Sequence, residues 1–305
     1  MSLPLVVATG AVRGGTSILF AALGETISER AGVVNLGIEG SMLCGALAAY
    51  AVAAETGNLW VGLAAGAVAG GLLSLVHAFF VLNRGSNQLA TGLVVLFLGL
   101  GITSLFGAAY VQADVTAMGI WDIPILSSIP WIGEVFFQQD PITYLSYLAV
   151  PACWWLLFRS RWGTLLRAAG ERREVLTTYG HPARFIQYLA VVAGGMLGGI
   201  GGAQLSIAYT GAWFENMTQG RGFIAVAVVM FANRMPFRVQ AGSYLFGAAL
   251  ALSPALQARG YSINQFALDA APYVVTILVL VIFGRRKSQE IPGELQKVFE
   301  IAPAT

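Results

Sequence analysis

Apolar residues run through this chain in long blocks, and the polar positions collect between them. Nine blocks stand out, at about 5–27, 33–54, 59–82, 88–110, 141–158, 185–209, 222–233, 239–257 and 270–284. A bilayer core of roughly 30 Å takes about 20 apolar residues as helix, so most blocks are long enough to span one. The first is interrupted by Arg13 and a glycine pair, and the seventh crosses only if it runs on into Asn233–Pro236. The pattern predicts an all-α, polytopic transmembrane helical bundle of about nine segments (eight to ten), with broken or re-entrant elements. Residues 1–284 read as one membrane domain, 159–184 as its main polar loop and 285–305 as a tail.

Composition agrees. Of 305 residues, 57% are hydrophobic and 10% charged, with a mean hydropathy of +0.72. A soluble domain carries about 25% charged residues, so lipid must form part of the solvent here. The net charge of +2 is too small for nucleic-acid binding. Cys44 and Cys153 lie in apolar blocks without a CxxC spacing, and His77 and His181 are far apart, which argues against a disulfide framework or a metal site. The N-terminus lacks a basic stretch and a cleavage signature, so no cleaved signal peptide is expected.

Orientation follows from arginine placement. Loop 111–140 holds Asp114, Asp122, Glu134 and Asp140 but no Lys or Arg, whereas loop 159–184 holds six Arg. Arg234 and Arg238 flank the turn at 233–238, and the tail opens with Arg285, Arg286 and Lys287. Alternating the loops puts fourteen basic residues inside and three (Arg13, Arg221 and Arg259) outside. The tail is then cytoplasmic and, with nine spans, the N-terminus is outside.

Three segments could carry chemistry. Gly24–Gly45 places Glu25, Glu29, Arg30, Asn35 and Glu39 at or near membrane depth, where ionisable groups are costly and point to function. Asn35 and Glu39 are four apart and would share one helical face. Gly32, Gly37 and Gly40 weaken that helix, and irregular backbone at this depth survives only inside protein or lining a cavity. The polar groups either cap half-helices and pair with one another or line a translocation route; both readings stand. The second segment, Gly220–Pro236, is a short apolar run ending in Asn-Arg-Met-Pro, and paired broken segments point to a substrate pathway. The third is the arginine loop, where Glu174 and Gly180 sit six apart before a helix-stopping Pro182. It is either a solvated loop or a docking element. Glycines repeat every four at Gly62/Gly66/Gly70 and Gly194/Gly198/Gly202, a pattern of close helix packing. No phosphate-cradling G-x-x-x-x-G-K-[ST], no GxSxG and no HExxH occurs, so no enzyme is indicated.

ALGETISERAGVVNLGIEGSMLCGA (Ala22–Ala46) resembles the membrane permease subunits of bacterial ABC importers for nucleosides and simple sugars. It matches their run at Gly24, Glu25, Glu29, Arg30, Ala31, Gly32, Asn35, Leu36, Gly37, Glu39 and Gly40. LLRAAGERREVLTTYG is similar to their coupling segment, with Glu171-Arg172-Arg173 in place of an E-N-P-like sequence. The stretch from Gly220 resembles a third family region, with Phe231-Ala232 where Phe-Gly is common. The resemblance implies a permease in a bacterial plasma membrane that holds no cofactor itself, ATP being bound by partner subunits. It implies as partners an ATP-binding-cassette ATPase, a second permease in a heterodimer and an extracytoplasmic substrate-binding lipoprotein. Arg172, Arg173, Glu174 and Gly180 would couple to the ATPase; Asn35, Gly37, Glu39, Phe223 and Asn233 would belong to the translocation pathway. Nucleosides are the first expected cargo and simple sugars the second. The competing reading is a self-contained secondary transporter coupled to H⁺ or Na⁺ through Glu39.

Overall fold

The computed structural model describes residues 2–260, 270–283 and 292–299. Six helices precede the polar loop: α1 (Leu3–Arg30), α2 (Ile38–Thr56), α3 (Leu59–Arg84), α4 (Gln88–Gly107), the short α5 (Ile132–Phe136) and α6 (Pro141–Arg159). The loop holds α7 (Arg161–Glu171) and α8 (Arg173–Thr178). After it come α9 (Ala183–Ala203), α10 (Arg221–Phe231), α11 (Pro236–Gln257), α12 (Ala271–Phe283) and α13 (Gly293–Phe299).

Among the described residues, seven helices are long and apolar enough to cross a membrane: α1 to α4, α6, α9 with its π-helical extension to Thr210, and α11. The block expected at 222–233 is α10, which at 11 residues is about 16 Å long and spans only part of a bilayer. The block expected at 270–284 corresponds to α12. Most of the tail expected at 285–305, with Arg285, Arg286 and Lys287, lies outside the described residues. Local chemistry sets the boundaries. Gly57 ends α2 at φ +68°, and the Asn58 side chain caps α3 by accepting from Trp60 N at 2.9 Å. Asp140 caps α6 through Thr143 N at 2.9 Å, and Pro141 and Pro236 open α6 and α11 without losing a helical hydrogen bond. Loop 111–140 folds over one end of the bundle as a two-stranded hairpin, β1 (Trp121–Asp122) antiparallel to β2 (Gln138–Gln139).

Helix α9 runs through the middle, packed on α1, α2 and α3. The repeating glycines make this possible. A Cβ on Gly70 would collide with the backbone of Gly195 and Gly199, and one on Gly199 with Gly66 O; one on Gly45 would strike Gly199, and one on Gly202 would strike Met42 O. Backbone lies on backbone along the whole α2–α3–α9 seam, as small residues permit in a membrane.

Candidate functional site

Helix α1 stops at Arg30 because Gly32 takes φ +85°, and the chain runs irregularly until α2 begins at Ile38. Asn35 therefore lies outside any helix, and the expected shared face of Asn35 and Glu39 does not exist. Ile38 packs on Gly198, well inside α9, so α2 starts at mid-bundle. Backbone at that depth needs partners, and neighbouring side chains supply them. Glu25 Oε1 accepts from Asn35 N at 2.8 Å, His77 Nε2 lies 3.0 Å from Val34 O, and Gln88 Oε1 accepts from Val34 N at 2.8 Å. Gln187 Nε2 donates to Ala31 O at 2.9 Å. Asn35 Nδ2 donates to Ser74 Oγ at 3.1 Å, and Ser74 is in turn 2.9 Å from Ser41 Oγ. Four helices thus hold one broken connection in shape.

Glu39, in the first turn of α2, reaches across to the start of α10. Its Oε1 accepts from Thr218 Oγ1 at 2.6 Å and Gly220 N at 2.8 Å, and its Oε2 accepts from Gly222 N at 2.5 Å. Three donors on one carboxylate at a helix N-terminus combine charge-assisted hydrogen bonding with a favourable helix dipole. Gly222 is needed there, because a Cβ would lie 2.6 Å from the Glu39 Cα. The partner of Glu39 is thus the N-terminus of a half-helix.

Arg30 serves the opposite end of α10. It donates to the carbonyls of Asn233 at 3.3 Å and Arg234 at 3.4 Å, just beyond the last turn, where a cation complements the dipole. Asn233 and Arg234 both adopt left-handed backbone, φ +52° and +56°, which folds the chain back toward α11. Arg234 forms a 2.7 Å ion pair with Glu29, both side chains almost fully buried. Arg234, counted from the sequence as a loop charge, is therefore a core residue. Residues on the two sides of the α1–α2 break clamp α10 at both ends.

The clamp touches the polar loop. Arg30 and Arg167 of α7 lie 5.3 and 5.4 Å from the centre of the Phe158 ring, one cation stacked by each helix. A Cβ on Gly170 of α7 would strike Arg30 O. Next to it, α7, α8 and the following turn enclose a crevice of about 550 Å³ whose lining includes Leu165, Arg172, Val175, Tyr179 and His181. Leu176 anchors α8 in the core, while Arg172, Glu174 and Gly180 are exposed and Arg173 is half-buried. Gly180 sits at φ +80°, so the turn that closes α8 depends on glycine.

The residues named from sequence fall into two groups. Arg172, Arg173, Glu174 and Gly180 come together on α8 and its turn. Asn35, Gly37 and Glu39 are buried or nearly so within this chain; Phe223 is exposed at the start of α10, and Asn233 lies at its other end against Arg30. Sequence reasoning missed Thr218, Ser74, Arg234 and the exposed Val175 and Tyr179. The signal for Arg234 was present in Asn-Arg-Met-Pro, an arginine at the end of an apolar run.

The model of the family described as branched-chain amino acid transport system / permease component matches residues 7–284. The chain belongs to this permease family. It is 45% identical over 262 residues to a candidate glucose ABC transporter permease of Haloferax volcanii, covering 85% of this chain and 78% of that one. It is 32% identical to a nucleoside ABC transporter permease of Lactococcus lactis, covering 88% and 89% of the two chains. A guanosine ABC transporter permease of Bacillus subtilis is 31% identical, covering 90% and 91%. The protein is thus a multi-pass ABC transporter permease and not an enzyme, and family membership implies an ATPase and a substrate-binding protein as partners. The permease reading stands over the cation-coupled alternative.

Proposed function

We propose that this permease forms half of a translocation pathway for uncharged polar solutes, nucleosides before simple sugars, beside a second, non-identical permease. Residues 1–284 act as one membrane domain in a bacterial plasma membrane, with the tail 285–305 and the loop 159–184 in the cytoplasm. The partner ATPase docks on α8 and the Gly180 turn through Arg172, Arg173 and Glu174. A lipoprotein outside delivers the cargo. One observation carries this reading: α10, a half-helix, is held at both ends by the α1–α2 break, and that break rests on α7. A push on α7 and α8 therefore has a packed route to the pathway elements around Gly37, Glu39, Phe223 and Asn233. The cargo class is supported by the relatives, two of them nucleoside or guanosine permeases and the 45% identical one a candidate glucose permease.

The test is reconstitution of the permease pair with its ATPase in proteoliposomes, with binding protein and radiolabelled guanosine or glucose outside. ATP-dependent accumulation that disappears on deletion of 172–180 is expected. Accumulation driven by a proton or sodium gradient without ATP, or unchanged uptake in the deletion, overturns the proposal.

A further inference from the structure

The hairpin end of the bundle, away from α7 and α8, carries a feature that none of the pathway elements named above lines. A crevice of about 560 Å³ opens there between the first turns of α3 and α6 and the hairpin, lined by Trp60, Trp121, Asp122, Tyr144, Leu145 and Leu148 among others. Its apolar walls are open to the surroundings: Trp60, Trp121 and Leu148 are 51%, 59% and 68% exposed. Trp60 heads an outward stripe of α3 that runs on at four-residue spacing through Ala64, Val68 and Leu72, all exposed on a helix long and apolar enough to cross a membrane. The crevice thus opens at the end of an apolar stripe that no other part of this chain covers.

Its mouth is built and held. Tyr144 Oη donates to Trp121 O at 2.7 Å and accepts from Gln139 N at 3.1 Å, which fixes the strand that carries the indole. Beyond it, Ile125 (φ +71°) and Trp131 (φ +68°) each sit at the centre of a three-residue turn, closed by Leu126 N to Pro124 O at 2.9 Å and Ile132 N to Pro130 O at 2.8 Å. Such turns are rare and strained, and more so for a β-branched residue. Here they hold an isoleucine 85% exposed and a tryptophan 56% exposed, an arrangement that water does not favour and the headgroup region of a bilayer does. Loop 111–140 contains no Lys or Arg, Asp122 is exposed at the crevice rim beside the tryptophans, and the nearby Arg13 is paired with Asp140 at 3.9 Å.

We propose that this crevice is a lipid site that takes an acyl chain against Leu145 and Leu148 and prefers a headgroup bearing an ammonium over an anionic one. Asp122 and the Trp60 and Trp121 faces bind the ammonium, by charge and by cation–π contact. The site is independent of the cargo and of the ATPase.

The test uses the purified full-length chain and native mass spectrometry with two probes of identical chains, dioleoyl phosphatidylethanolamine and dioleoyl phosphatidylglycerol. The unmodified protein is expected to retain the ethanolamine lipid about fivefold better, the scale of one cation–π contact. Asp122→Asn, a near-isosteric change at an exposed position, should lower that ratio at least twofold, leaving only the preference that the tryptophan faces supply. Trp121→Ala should remove one retained lipid of either kind. Equal retention of both lipids by the unmodified protein, an unchanged ratio in Asp122→Asn, or an unchanged count in Trp121→Ala overturns the proposal. So does cross-linking of Trp121→Cys, in cell membranes, to a second permease or to a soluble partner in place of lipid.

Discussion

The break around Asn35 and the loop around Gly180 are both polar interruptions of an apolar chain, yet they are satisfied in opposite ways. Between Ala31 and Glu39, side chains from α1, α3, α4 and α9 hold the backbone, and Glu39 and Arg30 hold α10. Around Gly180, the α8 side chains other than Leu176 turn outward and stay largely open to water. Polar residues partnered inside one chain transmit force or hold shape, even where Asn35 Oδ1, Glu25 Oε2, His77 Nδ1 and Gln187 Oε1 stay without a hydrogen bond. Polar and aromatic residues left open on a short, glycine-closed helix are available to another molecule.

Substitutions should separate the two regions, by folding in one and by function in the other. The largest effect is expected from Arg234→Ala, which leaves Glu29 buried without its ion-pair partner. Breaking a buried pair from one side costs about 3–5 kcal/mol, a large part of a total stability of about 5–15 kcal/mol. Thermal unfolding in detergent should show a strongly lowered midpoint; a midpoint within a degree or two of the parent would mean that the pair contributes little. Gly180→Pro comes next in effect and is opposite in kind. Proline cannot adopt φ +80° and removes the N–H that bonds Thr177 O at 3.0 Å. Insertion and melting should stay near normal while ATP-driven uptake falls at least tenfold, and normal uptake would separate this turn from the ATPase.

Glu39→Gln probes the clamp more gently. The amide keeps one acceptor for Thr218 and Gly220 but turns an NH₂ toward the Gly222 N–H. The loss should be about 1–3 kcal/mol of stability, the scale of one unsatisfied buried group. Uptake should remain substantial and ATP-dependent; loss of concentrative transport without loss of folding would revive a proton-carrying Glu39. The mildest test, Ser127→Cys, concerns orientation. Ser127 lies in the hairpin loop, and both native cysteines are buried, so background labelling is low. An impermeant thiol reagent applied to intact cells should label it, and labelling confined to opened membranes would reverse the topology.

What the sequence made legible was local. The length of the apolar blocks located the seven long helices, and glycines at 32, 37 and 40 marked the first break, because both signals act locally along the chain. The shared face for Asn35 and Glu39 failed because helical spacing was applied from Asn35, three residues before α2 begins at Ile38. The α10 clamp was out of reach for another reason. Glu39 and Gly220 are 181 positions apart, and Arg30 and Arg234 are 204 apart, so nothing in local patterning couples them. Positive-inside counting grouped Arg234 with the loop charges, but counting cannot tell a loop charge from a buried ion pair.

The glycine seam has a mechanical consequence. Where backbone lies on backbone, a register shift of a single residue would drive side chains such as Met196 or Leu63 into the neighbouring main chain, and no rotamer change could relieve it. Helices α2, α3 and α9 are therefore geared together as one stator. Whatever opens and closes this permease must turn against them, and α10, held at one tip by Glu39 and at the other by Arg30 and the Glu29–Arg234 pair, is carried by whatever moves the α1–α2 break.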